Sequence, residues 1–105
     1  MAIASNEEDL RRRQLEEEIS AAVATVHGTY QSWRIAEEGA GAMRDNAQLM
    51  QSAYSLGEVD LQSLLLSRRQ ATTAAQSALA ARVATLKAYQ LLLIDAHLIW
   101  DLDRD

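Results

Sequence analysis

From Leu15 to Tyr54 a residue that can face a helix seam recurs in alternating steps of four and three, and no proline interrupts the run. The series is Leu15, Ile19, Ala22, Val26, Thr29, Trp33, Ala36, Ala40, Met43, Ala47, Met50 and Tyr54, with Thr29 its single polar member. Few folds satisfy such a pattern. A mean repeat of 3.5 residues belongs to a long α-helix that keeps one face against a partner helix, whereas a strand would need a period of two. Ala21, Gly28, Ile35, Ala42 and Leu49 form a second line beside the first. The apolar face is therefore wider than a two-stranded coiled coil requires, and the helix is expected to meet more than one neighbour.

The second half of the chain repeats the design. Leu65, Thr72, Leu79, Leu86, Leu93 and Trp100 recur every seven residues, with Leu61, Ala75, Tyr89 and Ala96 interleaved. This line is the expected seam of a second helix, and Arg68 and Arg82 interrupt its interleaved positions as mismatches, their stems covering an apolar edge. An adjoining line, Leu64, Ala71, Ala78, Leu92 and Ile99, reads as a second stripe left over for another contact.

Between the two patterns lies AYSLGEVDLQSLLLSRRQA, Ala53 to Ala71. Gly57 can take the left-handed conformation that ends a helix, and Asp60 is a natural N-cap for the next. Val59 and Leu64 flank that cap with the spacing of a hydrophobic staple. A turn this short makes the helices antiparallel neighbours. At the other end, Ser5 and Glu8 have capping-box spacing and predict a helix start at Ser5. The reading is one helical hairpin over residues 1–105, with helix one at about 5–55, the turn at about 56–60 and helix two at about 60–101. Gly39 and Gly41 weaken helix one and mark either a bend or a close contact.

Composition agrees with an all-α chain: the strongest helix formers dominate, proline and phenylalanine are absent, and glycine numbers 4 among 105 residues. The formal net charge of −5 offers no basic footprint for nucleic acid. No cysteine is present, which removes disulfides and thiolate metal sites. His97 has only Asp101 at helical spacing and His27 has no such neighbour, so no metal site is expected, and no cofactor. The start has no secretory apolar core, and LLLIDAHLIW is short and broken by Asp95 and His97, so neither an export signal nor a bilayer span is expected. Alternating blocks in EEDLRRRQLEEE pair Glu7 with Arg11, Glu8 with Arg12 and Asp9 with Arg13 as a solvated helix end. No nucleophile–base set or phosphate loop stands out, and two slender helices enclose no pocket; the expectation is a non-enzyme.

At about 1.5 Å per residue, helices of these lengths would run roughly 60 to 75 Å each. A pair so thin buries little apolar area for the entropy it must offset. The second lines must then be covered, either in a larger helical wall or by self-association of the hairpin.

The turn carries a resemblance. Its residues are similar to the pattern A-Y-x-x-G-x-x-x-x-x-x-L-L-x-A of the TolC-like outer-membrane efflux proteins, matched here by Tyr54, Gly57, Leu64 and Leu65, and ALAARVATLKAYQLLLIDAHLIW looks like that family's final helix. The resemblance runs from about Thr29 to Trp100 and leans, through LGEVDL and DAHLIW, toward members working with metal-cation or multidrug RND pumps. It implies a long antiparallel two-helix coiled-coil hairpin that is a fragment of a periplasmic α-barrel, in an outer-membrane homotrimer whose partners are a periplasmic adaptor and an inner-membrane RND pump. Ser55, Leu56, Gly57 and Glu58 then match the adaptor-docking tip, and Tyr54 the tyrosine of the closed entrance gate. The gate's arginine falls on Val59 and its two aspartates on Ser63 and Leu66, so that network is not reproduced. Glu58 and Asp60 suggest an acidic entrance instead. The competing reading, from another class, is a cytosolic coiled-coil interaction module that self-associates into a helical bundle.

Overall fold

In a computed structural model the chain is described over residues 2–104 for the backbone and 6–101 for the side chains. It consists of two α-helices, α1 (Ala2–Ser55) and α2 (Leu61–Arg104), with no strand among the described residues. The all-α antiparallel hairpin expected from the two periodicities is thus observed. α1 begins at Ala2, so Ser5 lies inside the helix and does not cap it, and the Ser5 side chain is outside the described set. Gly39 and Gly41 do not interrupt α1. A methyl group at Gly39 would meet nothing within 4 Å, and one at Gly41 would meet only the Arg44 guanidinium at 3.8 Å, so neither marks a tight helix contact.

The contacts divide the hairpin into two units. One, Tyr30–Val83, holds the turn and the adjoining lengths of both helices. Its seam is formed from α1 by Trp33, Ala36, Ala40, Ala47 and Met50, and from α2 by Leu64, Ser67, Ala71, Ala74, Ala78 and Ala81. Met43 and Tyr54, expected in the α1 seam, are instead exposed at its edge.

The larger correction concerns α2. Leu64 is 3% exposed and Leu65 is 52% exposed; Ala78 is buried and Leu79 is not. The buried line is the one expected to be spare, and the line of large leucines faces outward. Small side chains line both sides of the seam, Ala36, Ala40 and Ala47 on α1 and Ser67, Ala71, Ala74, Ala78 and Ala81 on α2. Such residues let two helix axes approach at the close end of roughly 8–10 Å, a spacing that a line of leucines on α2 would prevent. In this register Arg68 and Arg82 stand outside the seam and are no longer mismatches, because Ser67 and Ala81 take the seam positions. Ser67 tolerates burial by donating its Oγ hydrogen to the Leu64 carbonyl at 2.7 Å.

The other unit pairs α1 up to Thr29 with α2 from Ala84 onward. Leu15, Ile19, Ala22, Val26 and Thr29 of α1 and Thr85, Ala88, Leu92, Asp95 and Ile99 of α2 are the residues withdrawn from solvent, and here both helices contribute large side chains. Leu86, Tyr89, Leu93 and Trp100, read from the sequence as seam residues, are again exposed. By length and composition alone, Leu61–Asp101 would suffice to cross a membrane. Arg68, Arg69, Arg82, Lys87 and Asp95 punctuate that stretch, and 17% of its most apolar window is buried in the fold.

Candidate functional site

The turn is specified by backbone chemistry. α1 ends as the Gly57 N–H donates to the Tyr54 carbonyl at 3.0 Å and the Glu58 N–H reaches back to the Ala53 carbonyl at 2.8 Å. These two bonds are the 5→2 and 6→1 pair of a Schellman motif, and the motif needs a left-handed residue between them. Gly57 supplies it with φ of 76°, the one positive φ among the described residues. Open space surrounds the position, so the demand for glycine is conformational and not steric.

α2 starts on Asp60, whose Oδ1 accepts the Ser63 N–H at 2.8 Å while its carbonyl accepts the Leu64 N–H at 3.2 Å. Hydrogen bonding from Ser63 lowers the Asp60 pKa below the ordinary carboxylate value of 3.8. Val59 is half-buried and Leu64 buried, as a staple across the cap requires.

These bonds sort the residues of the tip. Leu56, at 74% exposed, projects an apolar side chain into solvent, and Glu58 is exposed beside it. Ser55 is exposed but turns its Oγ hydrogen inward to the Gln51 carbonyl at 3.0 Å. Tyr54 is 40% exposed. The Asp60 carboxylate is occupied by its own helix, so of the two carboxylates expected at an acidic entrance only that of Glu58 takes no part in the hydrogen bonds of the turn, where Glu58 contributes its backbone N–H alone. Leu56, Gly57 and Glu58 therefore stand together as the free apex, with Asp60 as its foundation.

Periodicity could not reveal two side-chain arrangements in this unit, one below the apex and one far along α1 from it. Arg68 donates from Nη2 to Gln51 Oε1, tying α2 to α1 two turns below Gly57. On α1, Trp33 Nε1 donates to Glu37 Oε1 at 3.0 Å while Tyr30 meets the Trp33 ring edge-on, centroids 6.0 Å apart. A groove of 470 Å³ runs along the same unit, floored by Ala40, Ala71 and Ala78 and walled by Glu37, Arg44, Leu79 and Arg82. In the other unit a 330 Å³ cleft holds Glu18 and Asp95, and His97 lies 3.7 Å from Asp101. No group of three metal-ligating side chains gathers among the described residues.

Compared with protein-family models, curated proteins and solved structures, the chain matches none.

Proposed function

We propose that this hairpin is a structural part of the outer-membrane duct of a tripartite RND-type efflux system, forming periplasmic α-barrel wall and presenting Ser55, Leu56, Gly57 and Glu58 to a periplasmic adaptor. The observation that carries the reading is the pair of apolar lines left outside the seam in the unit that holds the turn: Ile35 and Leu49, each 70% exposed, on α1, and Leu61, Leu65 and Leu79 on α2. A helix in a closed wall must contact a neighbour on each side, and these lines are what a second neighbour would cover. The glycine-centred apex supports the same assignment, because a backbone turn with no side chain at Gly57 lets another hairpin approach its peptide groups closely. In this role the chain performs no catalysis and holds no cofactor; the inner-membrane pump supplies the energy and selects the metal ion or drug.

The test is made in the full duct that carries this hairpin. Gly57→Val is expected to reduce adaptor crosslinking and efflux-dependent resistance, and Glu58→Ala to alter crosslinking while leaving the fold intact. Outer-membrane abundance is the control. If both variants reach the membrane at normal levels with unchanged resistance and crosslinking, the tip is only a connector and the docking assignment fails.

A further inference from the structure

The unit Tyr30–Val83 carries a ridge on one face and a groove on the other, and we infer that the ridge of one copy of this chain seats in the groove of a second copy, giving a head-to-tail assembly. The inference rests on the hairpin alone and is independent of the duct reading.

The ridge is the outer line of α1. Ile35, Ala42 and Leu49 follow one another at seven-residue spacing, with Glu38 and Asp45 interleaved. Ile35 and Leu49 each precede a seam residue, Ala36 and Met50. The groove is lined by residues that coincide with or follow seam positions, among them Glu37 on α1 and Leu79 and Arg82 on α2. One step along a helix turns about 100° around its axis. One step back on α1 therefore points to the opposite face of the hairpin from one step forward on either α1 or its antiparallel partner's groove-side wall. The apolar ridge side chains Ile35, Ala42 and Leu49 therefore cannot seat in the groove of their own molecule.

Size and charge match them across two. Ala40, Ala71 and Ala78 leave a floor of methyl groups, which is what a protruding Ile35 or Leu49 needs. The groove wall carries two guanidinium groups, Arg44 and Arg82, against one carboxylate, Glu37, while the ridge carries the carboxylates of Glu38 and Asp45. Asp45 has an Arg44 guanidinium of its own chain at 3.8 Å, an exposed contact that exchange with a second copy can replace. A contact between two different faces is heterologous, so it propagates until the rotation per step closes a ring or leaves a filament.

The absence of cysteine makes the test direct. Ala42→Cys marks the ridge and Ala75→Cys the α2 wall of the groove, both at exposed positions on opposite faces. Under mild oxidation the double variant should give a ladder of covalent multimers, each single variant alone should stay monomeric on a denaturing gel, and mixing the two singles should give a dimer. Wild-type sedimentation should show mass rising with concentration, reduced by Ile35→Glu and by added salt, with helicity followed by circular dichroism. A monomer throughout the micromolar range overturns the inference. So does a single-cysteine dimer as abundant as the mixed one, which would mean like faces meet, and so does a chain that stays monomeric while partitioning into neutral lipid vesicles, which would assign the apolar lines to a bilayer.

Discussion

Leu64 and Leu65 are adjacent, chemically identical and opposite in burial, so truncating each to alanine isolates the register of α2. Leu64 is 3% exposed in the seam beside the α2 cap, and Leu→Ala at such a site costs about 2–5 kcal/mol from lost transfer energy and the cavity left behind. A two-helix unit can partly close that cavity, which places the expectation at about 2–3 kcal/mol. Leu65, at 52% exposed, keeps about half its surface in water when folded, and its truncation should cost about 1 kcal/mol or less, offset by a few tenths from alanine's better helix propensity. Against a total of roughly 5–15 kcal/mol for a chain of this size, the first loss is large and the second small. Urea unfolding followed by circular dichroism reads both, at protein concentrations low enough that assembly contributes nothing and with the slope m compared between variants. Equal losses, or a larger loss at Leu65, would refute the small-residue seam and restore the leucine line to the interface.

Three further outcomes follow from the same geometry. Gly57→Ala should destabilise the hairpin by about 1–2 kcal/mol through left-handed strain, because space is open around the position; a thermal melt unchanged from wild type would contradict the Schellman assignment. Asp60 has its folded pKa lowered, so its capping contribution is complete above the unfolded value of 3.8 and is lost as pH falls through the folded pKa; Asp60→Asn should abolish that acid-dependent component while keeping the cap, and an unaltered stability profile below pH 3.8 would show that Asp60 is not its source. Ser67→Ala should be nearly neutral, since it removes a hydroxyl satisfied only by its own helix, whereas Ser67→Leu should cost about 1–3 kcal/mol by overpacking; a stable leucine variant in urea unfolding would mean that the helices are not held close there.

The apex was legible in the sequence because it is local. Gly57 must be glycine for a left-handed C′, Asp60 reaches the N–H of a residue three positions on, and neither bond depends on what packs beneath. The α1 seam was legible for a related reason: a continuous helix turns a 3.5-residue repeat into one face, and ten of its twelve named residues, all but Met43 and Tyr54, are half-buried. The roles within the apex were less so. That Leu56 and Glu58 project outward while Ser55 turns its hydroxyl back to the Gln51 carbonyl follows from hydrogen bonds and exposure, not from residue type.

The start of α1 shows how a local signal is overridden, since Ser5 and Glu8 have capping-box spacing yet the helix continues back to Ala2. The two lines of α2 show something different. Taken singly, Leu65 and Leu79 outrank Ala71 and Ala78 as buried residues, because transfer from water favours the larger side chain. An interface between helices is a property of the pair, however, and α1 turns Ala36, Ala40 and Ala47 inward, a small-residue face that packs closely only against another line of small residues. The sequence by itself determined two long helices, the turn that joins them and the face that α1 turns inward. Only the tertiary structure decided which line of α2 met that face, because close packing constrains the sum of two opposing volumes and no single helix contains both.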